Sequence, residues 1–483
     1  MTLKSREFER GITSSDYIDI KTDTAANINY VFNGDSEALL NDLDAIKTFI
    51  NHHHTHQKPR LKLLKSYYEG QNITILSKKR RKEVDNADHR ASHPFAEYIS
   101  NFVNGYFLGK EIIVENEAAK DEINAVHIYN DIDSLNRELG LDLSIYGRAF
   151  ELAMKNKEDE YRFYRMRPED TFLIYDDTVE RNSIAAVYYR PVDVVLNKET
   201  EYLVNVYTEN ADYSYKYELS SSGDLKAAGG PSQHAYKRVP ITEYINNRDR
   251  RGDFEKAIPQ IDLYDAAQSD TANYMTDLND ALLVITGNLG LDADEAKKQK
   301  EANILFIEPA DYEDASGNKR EGKADAKYIF KQYDVDGSES YKNRLENDIH
   351  LLTNTPNLND YSFSGTQSGE SMKYKLFSLE QNAVIKEGMF KKGLRRRYKL
   401  LQTIMKTDKT LPTDINLEST TYRFIRNLPQ SLAEDLKTYV EAGGQLSKKT
   451  LLDMFGFVTN TDDELDRINA ESNDAPKEES DID

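Results

Sequence analysis

The chain of 483 residues contains no cysteine. Disulfides and thiolate zinc sites are therefore impossible, and folding inside a cell is the expectation. No run approaches the ~20 apolar residues needed to span a bilayer; the best, DALLVITGNLGL, is short and interrupted by glycine. The opening segment MTLKSREFERGITSSDYIDI lacks the apolar core of a signal peptide. Catalytic signatures are equally scarce. GTQSG at 365–369 displaces the serine of a nucleophile elbow and follows no strand, GxxxxGK[ST] does not occur, and DVDGSES at 334–340 has too few alternating acids for a calcium loop. No carboxylate pair has a spacing that demands acid–base work, so the expectation is a protein that is not an enzyme and carries no cofactor.

What the chain does have is charge, unevenly placed. The formal net charge is −21, which argues against gripping nucleic acid over the whole surface, because affinity for DNA rests on lysine and arginine neutralising phosphates. Residues 58–82 nevertheless hold nine bases and one acid, and residues 462–483 hold ten acids and two bases. A second basic run, KKGLRRRYK at 391–399, falls inside a helical pattern. It could meet phosphates, pair with acids of a neighbouring subunit, or lie solvated. NHHHTH at 51–56 places His52 and His56 one helical turn apart. Two histidines without a third ligand do not make a zinc site, and exposed histidines beside a basic segment add conditional positive charge.

Periodicity divides the chain. Residues 1–34 are polar and weakly patterned, as in a flexible arm. Leu39, Leu40, Leu43, Ile46, Ile50, Leu61, Leu64 and Tyr68 recur at helical spacing, and further helices fit Phe95–Leu108 and Ile132–Tyr146. From about 148 to 245 the pattern alternates, with YRFYRM, TFLIYDD, AAVYYRPV, YLVNVYT and YSYKYEL predicting antiparallel strands. Residues 260–286 return to helical steps, with Asp262, Asp265, Asp270, Asp277 and Asp280 on the other sides. An insert follows, with strand-like NILFIEP and AKYIFKQYD about a turn-rich centre. Ser338–Thr353 is helical again, and Ser368–Lys406 would make a helix of roughly 58 Å, with Gly388 and Gly393 as places for a bend. The tail from Asp462 is apolar-poor and expected to be mobile. Such long helices need more than one small core to bury them, so packing between copies of the chain is the economical solution. The class is α+β, mainly helical.

Between the last two helices, Thr355–Gly369 carries one acid and no base. A loop of that length in a compact chain is functional or disordered.

Taken in order, KPRLKLLKSYYEG, NFVNGYFLGKEI, LGLDLSIYGRAFEL, TFLIYDDTVERNSIAAVYY, IDLYDAAQSDTANYMTDLNDALLVITGN, TPNLNDYSFSGTQSGESMKYKLFSLE and RNLPQSLAEDL closely resemble the portal proteins of long-tailed bacteriophages (siphophages) of Gram-positive bacteria, from about residue 55 to 468. The resemblance implies a phage portal fold of wing, stem, clip and crown, assembled as a ring of about twelve subunits with an axial channel. Double-stranded DNA would be packaged and ejected through it at one capsid vertex, in a virion assembled in the host bacterial cytoplasm. Laid on this chain, it implies an arm at 1–34, a wing at 35–259, a first stem helix at 260–286 and a clip at 287–337. A second stem helix at 338–354, a tunnel loop at 355–369, a long wing helix at 370–406, a crown at 407–470 and an acidic tail at 471–483 complete the map. Acidic stem faces would repel phosphate and let DNA slide.

The implied partners are the terminase packaging motor, head-completion or adaptor proteins, and scaffold and major capsid proteins, with no membrane. The residues expected to meet DNA at the channel are Asn357, Asn359, Asp360, Tyr361, Ser362, Phe363, Ser364, Thr366, Gln367, Lys373 and Lys375. Docking at the clip is expected of Glu308, Asp311, Tyr312, Glu313, Asp314, Asn318, Lys319 and Arg320. The alternatives are a subunit of a nucleic-acid-processing enzyme using the basic 58–82 segment, and a capsid or tail scaffold protein without a channel.

Overall fold

Alternating residues of one strand-rich segment are buried on both sides, and this builds the layers of the molecule. The computed structural model describes residues 24–77, 87–193, 198–218, 223–277, 282–286, 312–313, 316–320, 325–329, 334–357, 376–427 and 461–474, with a few isolated positions between them. Strand β1 (Tyr30–Phe32) pairs in parallel with β5 (Thr171–Asp176), and β6 (Ser183–Asp193), β7 (Lys198–Tyr207) and β8 (Ala211–Glu218) continue antiparallel, with the short Leu225–Ala227 and Ser232–Gln233 both on β8. One face of this sheet sends Phe172, Ile174, Ala185, Val187 and Tyr189 into a core with Ile46 and Ile50. The intervening Leu173 and Ala186 point the other way, onto Phe150, Leu152 and Ile241 of a second sheet ordered β11–β3–β4 (Ile241–Ile245, Arg148–Lys155, Tyr161–Met166). The two-residue period thus buries both faces, as a sheet between layers requires.

Helices close the outer layers. On the first sheet lie Ser36–Asn41 and Leu43–His52, and a five-residue π-helical turn, His53–Gln57, joins the second of these to Lys58–Tyr68. On the far side of the second sheet runs the 31-residue helix Phe377–Thr407, whose Phe390, Leu394, Tyr398 and Leu401 pack with Ala149, Ala153, Phe163 and Tyr244. A fourth cluster joins Leu61 and Leu64, Ile99 and Val103 of Phe95–Leu108, Ile145 of Ile132–Tyr146, and the inner ends of two further helices.

Several sequence expectations are corrected. The arm does not extend to residue 34, because Tyr30 is buried against Phe49 and Phe172, and Asn27 is tied to Asp249 and Arg148. The helix expected over 260–286 is Ile258–Asp277, and Leu282–Thr286 is a strand paired antiparallel with Asp325–Ile329. LLVIT is a short β-branched run, for which periodicity cannot separate helix from strand. The tail expected to be mobile from Asp462 is helical over Thr461–Asp474, with an Arg467–Glu464 bridge at 3.1 Å. NILFIEP lies outside the described residues. Gly388 and Gly393 interrupt nothing: the helix runs through both, and a Cβ on Gly393 would come within 2.3 Å of the Tyr244 ring. Gly393 is there so that helix and sheet can touch.

Candidate functional site

Asp334 caps the helix Val335–Thr353 by accepting from the Gly337 amide at 2.9 Å, so DVDGSES is a helix start. This helix lies antiparallel to Ile258–Asp277: Ser338 meets Thr271 at 3.5 Å, Lys342 donates to Gln268 at 3.3 Å, and Ile349 packs with Ile258 and Ile261. In the chain the two helices flank the strands Leu282–Thr286 and Asp325–Ile329, which pair antiparallel, so the described helix pair and strand pair run as the two arms of a hairpin. Beyond that strand pair, Tyr312 pairs with Arg320 and Glu313 with Lys319, about a turn whose Ser316, Gly317 and Asn318 are exposed. Of the expected docking residues, Tyr312, Glu313, Asn318, Lys319 and Arg320 thus share one small turn. Glu308, Asp311 and Asp314 lie outside the described residues.

The hairpin's inner end is also where the loop after residue 354 is rooted. Asn354 ends the helix in the left-handed region (φ 56°). Thr355, buried, meets the His350 ring nitrogen at 3.2 Å and the Thr353 hydroxyl at 2.7 Å. Tyr98 donates its hydroxyl to the Pro356 carbonyl at 3.0 Å, and Asn357 donates to Glu346 at 3.0 Å. Of the expected channel residues Asn357 is thereby placed at the root; Asn359, Asp360, Tyr361, Ser362, Phe363, Ser364, Thr366, Gln367, Lys373 and Lys375 lie outside the described residues. The chain is described again from Leu376, which is buried with Leu379 in the cluster that also takes Ile349, Ile99 and Val103. Both ends of segment 358–375 are therefore fastened to one core. Glu380, one turn on, accepts from Tyr106 at 2.6 Å and from Arg426 at 2.8 Å. Burial acts to raise its pKa, but these hydrogen bonds outweigh burial and hold it below the usual range.

Two acids of the first hairpin helix, Asp262 and Asp265, are bonded inside the chain, while Asp270 is exposed; Asp280 and the Asp277 side chain lie outside the described residues. Asp265 is fully buried and accepts from the His93 amide at 3.0 Å, the His93 ring at 2.7 Å and Asn72 at 2.8 Å. Asp262 accepts from Tyr67 at 2.6 Å and Asn72 at 2.9 Å, and burial pushes its pKa up to about 6. A pattern missed in the sequence explains this. Asp265, Ser269 and Asn273, all buried and spaced by four, take the backbone amides of His93, Ala91 and His89 in turn. Four helical residues rise about 6 Å and two extended residues about 6.6 Å, so a strand-like strap can bond every second amide to successive turns. Small polar residues at i, i+4 and i+8, between the apolar steps of the helix, were the available signal.

Several bases of the two basic segments are paired inside the chain, an outcome none of the sequence alternatives contained, while Lys62, Lys392 and Arg395 are exposed. Lys58 pairs with Asp170 at 2.6 Å, Arg60 with Glu255 at 2.7 Å, and Lys65 lies 3.9 Å from Glu169; residues 78–82 lie outside the described residues. In 391–399, Lys391 pairs with Glu387, Lys399 with Glu418, and Arg397 is fully buried against Glu151. Burial acts to lower the Arg397 pKa, and Glu151 more than offsets it, so the guanidinium stays charged. The histidines are not an exposed pair either. His53 is buried, stacked on Phe172 and bonded to the Tyr189 hydroxyl at 2.7 Å, and burial holds its pKa well below the usual value. His52 meets the Tyr30 hydroxyl at 3.0 Å. Among the described residues no three histidine or acidic side chains are grouped as a metal would need.

Residues 47–478 match the family described as phage portal protein, SPP1 Gp6-like. The portal protein of Bacillus phage SPP1 is 22% identical over 460 residues, covering 89% of this chain and 87% of that protein. The portal protein of Clostridium phage phiCD119 is 23% identical over 273 residues, covering 52% of this chain and 60% of that protein. A solved structure described as the neck of an empty GTA particle, computed with C6 symmetry, overlays with a TM-score of 0.39 at 13% identity, over 82% of this chain and 97% of that one. That likeness is too loose to place any element.

Proposed function

Because the chain belongs to the SPP1 Gp6-like family of phage portal proteins, and is thus a capsid portal protein of a bacteriophage, we propose that it works as one subunit of a closed ring. Ile258–Asp277 and Val335–Thr353 are its stem, the Tyr312–Arg320 turn lies in its clip, and residues 355–369 are its tunnel loop. The observation that carries this reading is the rooting of both loop ends in one core at the inner end of the hairpin. Rotational symmetry would bring every copy of the loop, residues 355–369, to one axis. Its near-neutral sequence suits contact with DNA without retention, since each neutralised phosphate would add affinity.

Exposed apolar side chains support the ring. Leu351 and Leu352 on one stem helix, Leu263 and Met275 on the other, and Phe377, Val384 and Ile385 at the start of the long helix are 42–73% exposed. Apolar surface of that extent on neighbouring helices is what a heterologous interface between copies would cover. The number of copies, expected as about twelve, is read from native mass spectra or negative-stain images of the purified chain. Absence of rings with and without the phage's scaffold protein would overturn this reading.

The clip turn is proposed to receive the packaging motor and later the head-completion proteins, at Tyr312, Glu313, Asn318, Lys319 and Arg320. The loop has its own test. Tyr361→Glu or Phe363→Glu leaves ring assembly intact and lowers the yield of DNA-filled heads; unchanged yields would remove the loop from the mechanism.

A further inference from the structure

The chain is fastened differently on the two sides of residues 358–375. On the incoming side Thr355 is tied to His350 and Thr353 of the helix it leaves, and Tyr98 donates to the Pro356 carbonyl at 3.0 Å. On the outgoing side the helix Phe377–Thr407 starts at Leu376, which gives its first-turn amides no side-chain cap. An uncapped start leaves the direction of the first turn to tertiary contacts. The burial of Leu376 and Leu379 is one such contact, but apolar burial is not directional. Arg426 supplies a directional one from 46 residues further on. Its Nε and Nη2 donate to the two oxygens of Glu380 at 2.8 and 3.1 Å, and Nη2 also donates to Glu387, two turns along the same helix, at 2.8 Å. Tyr106 donates to the same Glu380 carboxylate at 2.6 Å. Tyr98 and Tyr106 stand eight residues, about 12 Å, apart on Phe95–Leu108, so one helix is the strut on which both sides are set.

We propose that Arg426 is a positioning residue for DNA translocation. By clamping Glu380 and Glu387 against Phe95–Leu108 it fixes the direction in which the chain enters the long helix, and with it the placing of the tunnel loop at the axis. It acts through Glu380 and not by contact with DNA. The role needs the guanidinium fork, which holds both oxygens of Glu380 and one of Glu387 together; a lysine ammonium is a compact point charge without that geometry. The segment that carries Arg426 is anchored apart from its charge. Thr421–Arg423 pairs with Ile113–Glu115, Phe424 stacks on Phe107 with ring centroids 5.2 Å apart, and the Asn427 amide donates to the Tyr106 carbonyl at 3.1 Å. Glu380 is 34% exposed and Glu387 has Lys391 at 2.7 Å, so water or a second base serves both carboxylates when Arg426 is lost, and the fold survives.

The inference rests on the tunnel-loop reading for its effect on DNA but not for the clamp, so two measurements are made on the full-length protein. Hydrogen exchange with mass spectrometry reads the clamp. In Arg426→Gln the amides of Glu380–Ala383 exchange roughly tenfold faster, as loss of a charge-assisted hydrogen bond implies, while Ile349–Thr353 and Phe95–Leu108 stay protected. Glu380→Gln does the same, and the double variant is no faster than either single one, because both remove one contact. Unchanged exchange at Glu380–Ala383 overturns the clamp, and loosening of all three segments together makes Arg426 a structural residue only. The yield of DNA-filled heads, from a phage whose portal protein is replaced by the variant, reads translocation. Arg426→Gln lowers it with ring assembly unchanged, and Arg426→Lys restores neither loss fully. Full recovery by lysine reduces the clamp to a surface charge and overturns the proposal, as does an unchanged yield beside faster exchange. Unchanged yields from Tyr361→Glu and Phe363→Glu sink the tunnel-loop reading instead, while exchange still decides the clamp. Should Arg426→Gln not assemble, Glu380→Gln, whose amide oxygen still accepts from Tyr106, carries both measurements.

Discussion

Arg397 shows how much one residue depends on its surroundings. Its guanidinium is 1% exposed, bonded to an equally buried Glu151 and lying 5.7 Å from the Tyr244 ring centroid. Removing one member leaves a buried charge unpaired, so Arg397→Leu should lower unfolding stability by about 3–5 kcal/mol, and the double variant Arg397→Leu, Glu151→Leu by clearly less; urea denaturation measures both. At Gly393 the constraint is steric. Ala there would drive a methyl into Tyr244, and a loss of about 1–3 kcal/mol is expected in the same assay. Asp262 gives a pH signature. Its pKa rises from 3.8 to about 6 on folding, so the folded state binds the extra proton between those values. Stability from this group is therefore greatest below about pH 4 and lost as pH rises through 6. Asp262→Asn should remove that slope, on the order of 2–3 kcal/mol between pH 4 and 7, in denaturation curves compared across pH.

At the scale of elements, the strap 89–93 and the helix it lies on act as one piece. Amides 89 and 91 depend on Asn273 and Ser269 side chains. The double variant Ser269→Ala, Asn273→Ala should accelerate exchange at those amides at least tenfold while leaving Phe95–Leu108 protected, because the strap loosens before the core does. Hydrogen exchange with mass spectrometry reads this directly, and uniform loss of protection would show that strap and core open together. The same ladder explains why sequence periodicity misjudged this helix. Its buried stripe turns polar from Asp265 onward, where apolar steps are no longer the inward ones.

For the whole molecule, helix, sheet, sheet and helix stack with three hydrophobic clusters between them, and a fourth cluster carries the hairpin at its edge. Apolar surface remains on the hairpin and at the start of the long helix, away from the layered core. Association through it is driven by burial and not by charge, so rings held mainly this way should persist at 0.5 M salt, where exposed ion pairs are screened. Dissociation on adding salt, seen by light scattering, would transfer the main contribution to charged contacts.

The sequence by itself determined the helices Phe95–Leu108 and Ile132–Tyr146 and the strands from 148 to 245, because local periodicity and turn residues are properties of short segments. It also carried the ordered motifs of the portal family. It could not say which charges are free. Glu151 and Arg397 stand 246 residues apart, and Arg60 and Glu255 stand 195 apart. Only the tertiary structure brings such groups together, and a basic run reads the same whether its partners lie across the core or on another molecule. For the same reason the burial of Asp265 under the strap and the bonding of Asp262 to Tyr67 and Asn72 could not be read from the sequence. Long-range pairing decides which charges remain free, because it joins groups that no local pattern connects.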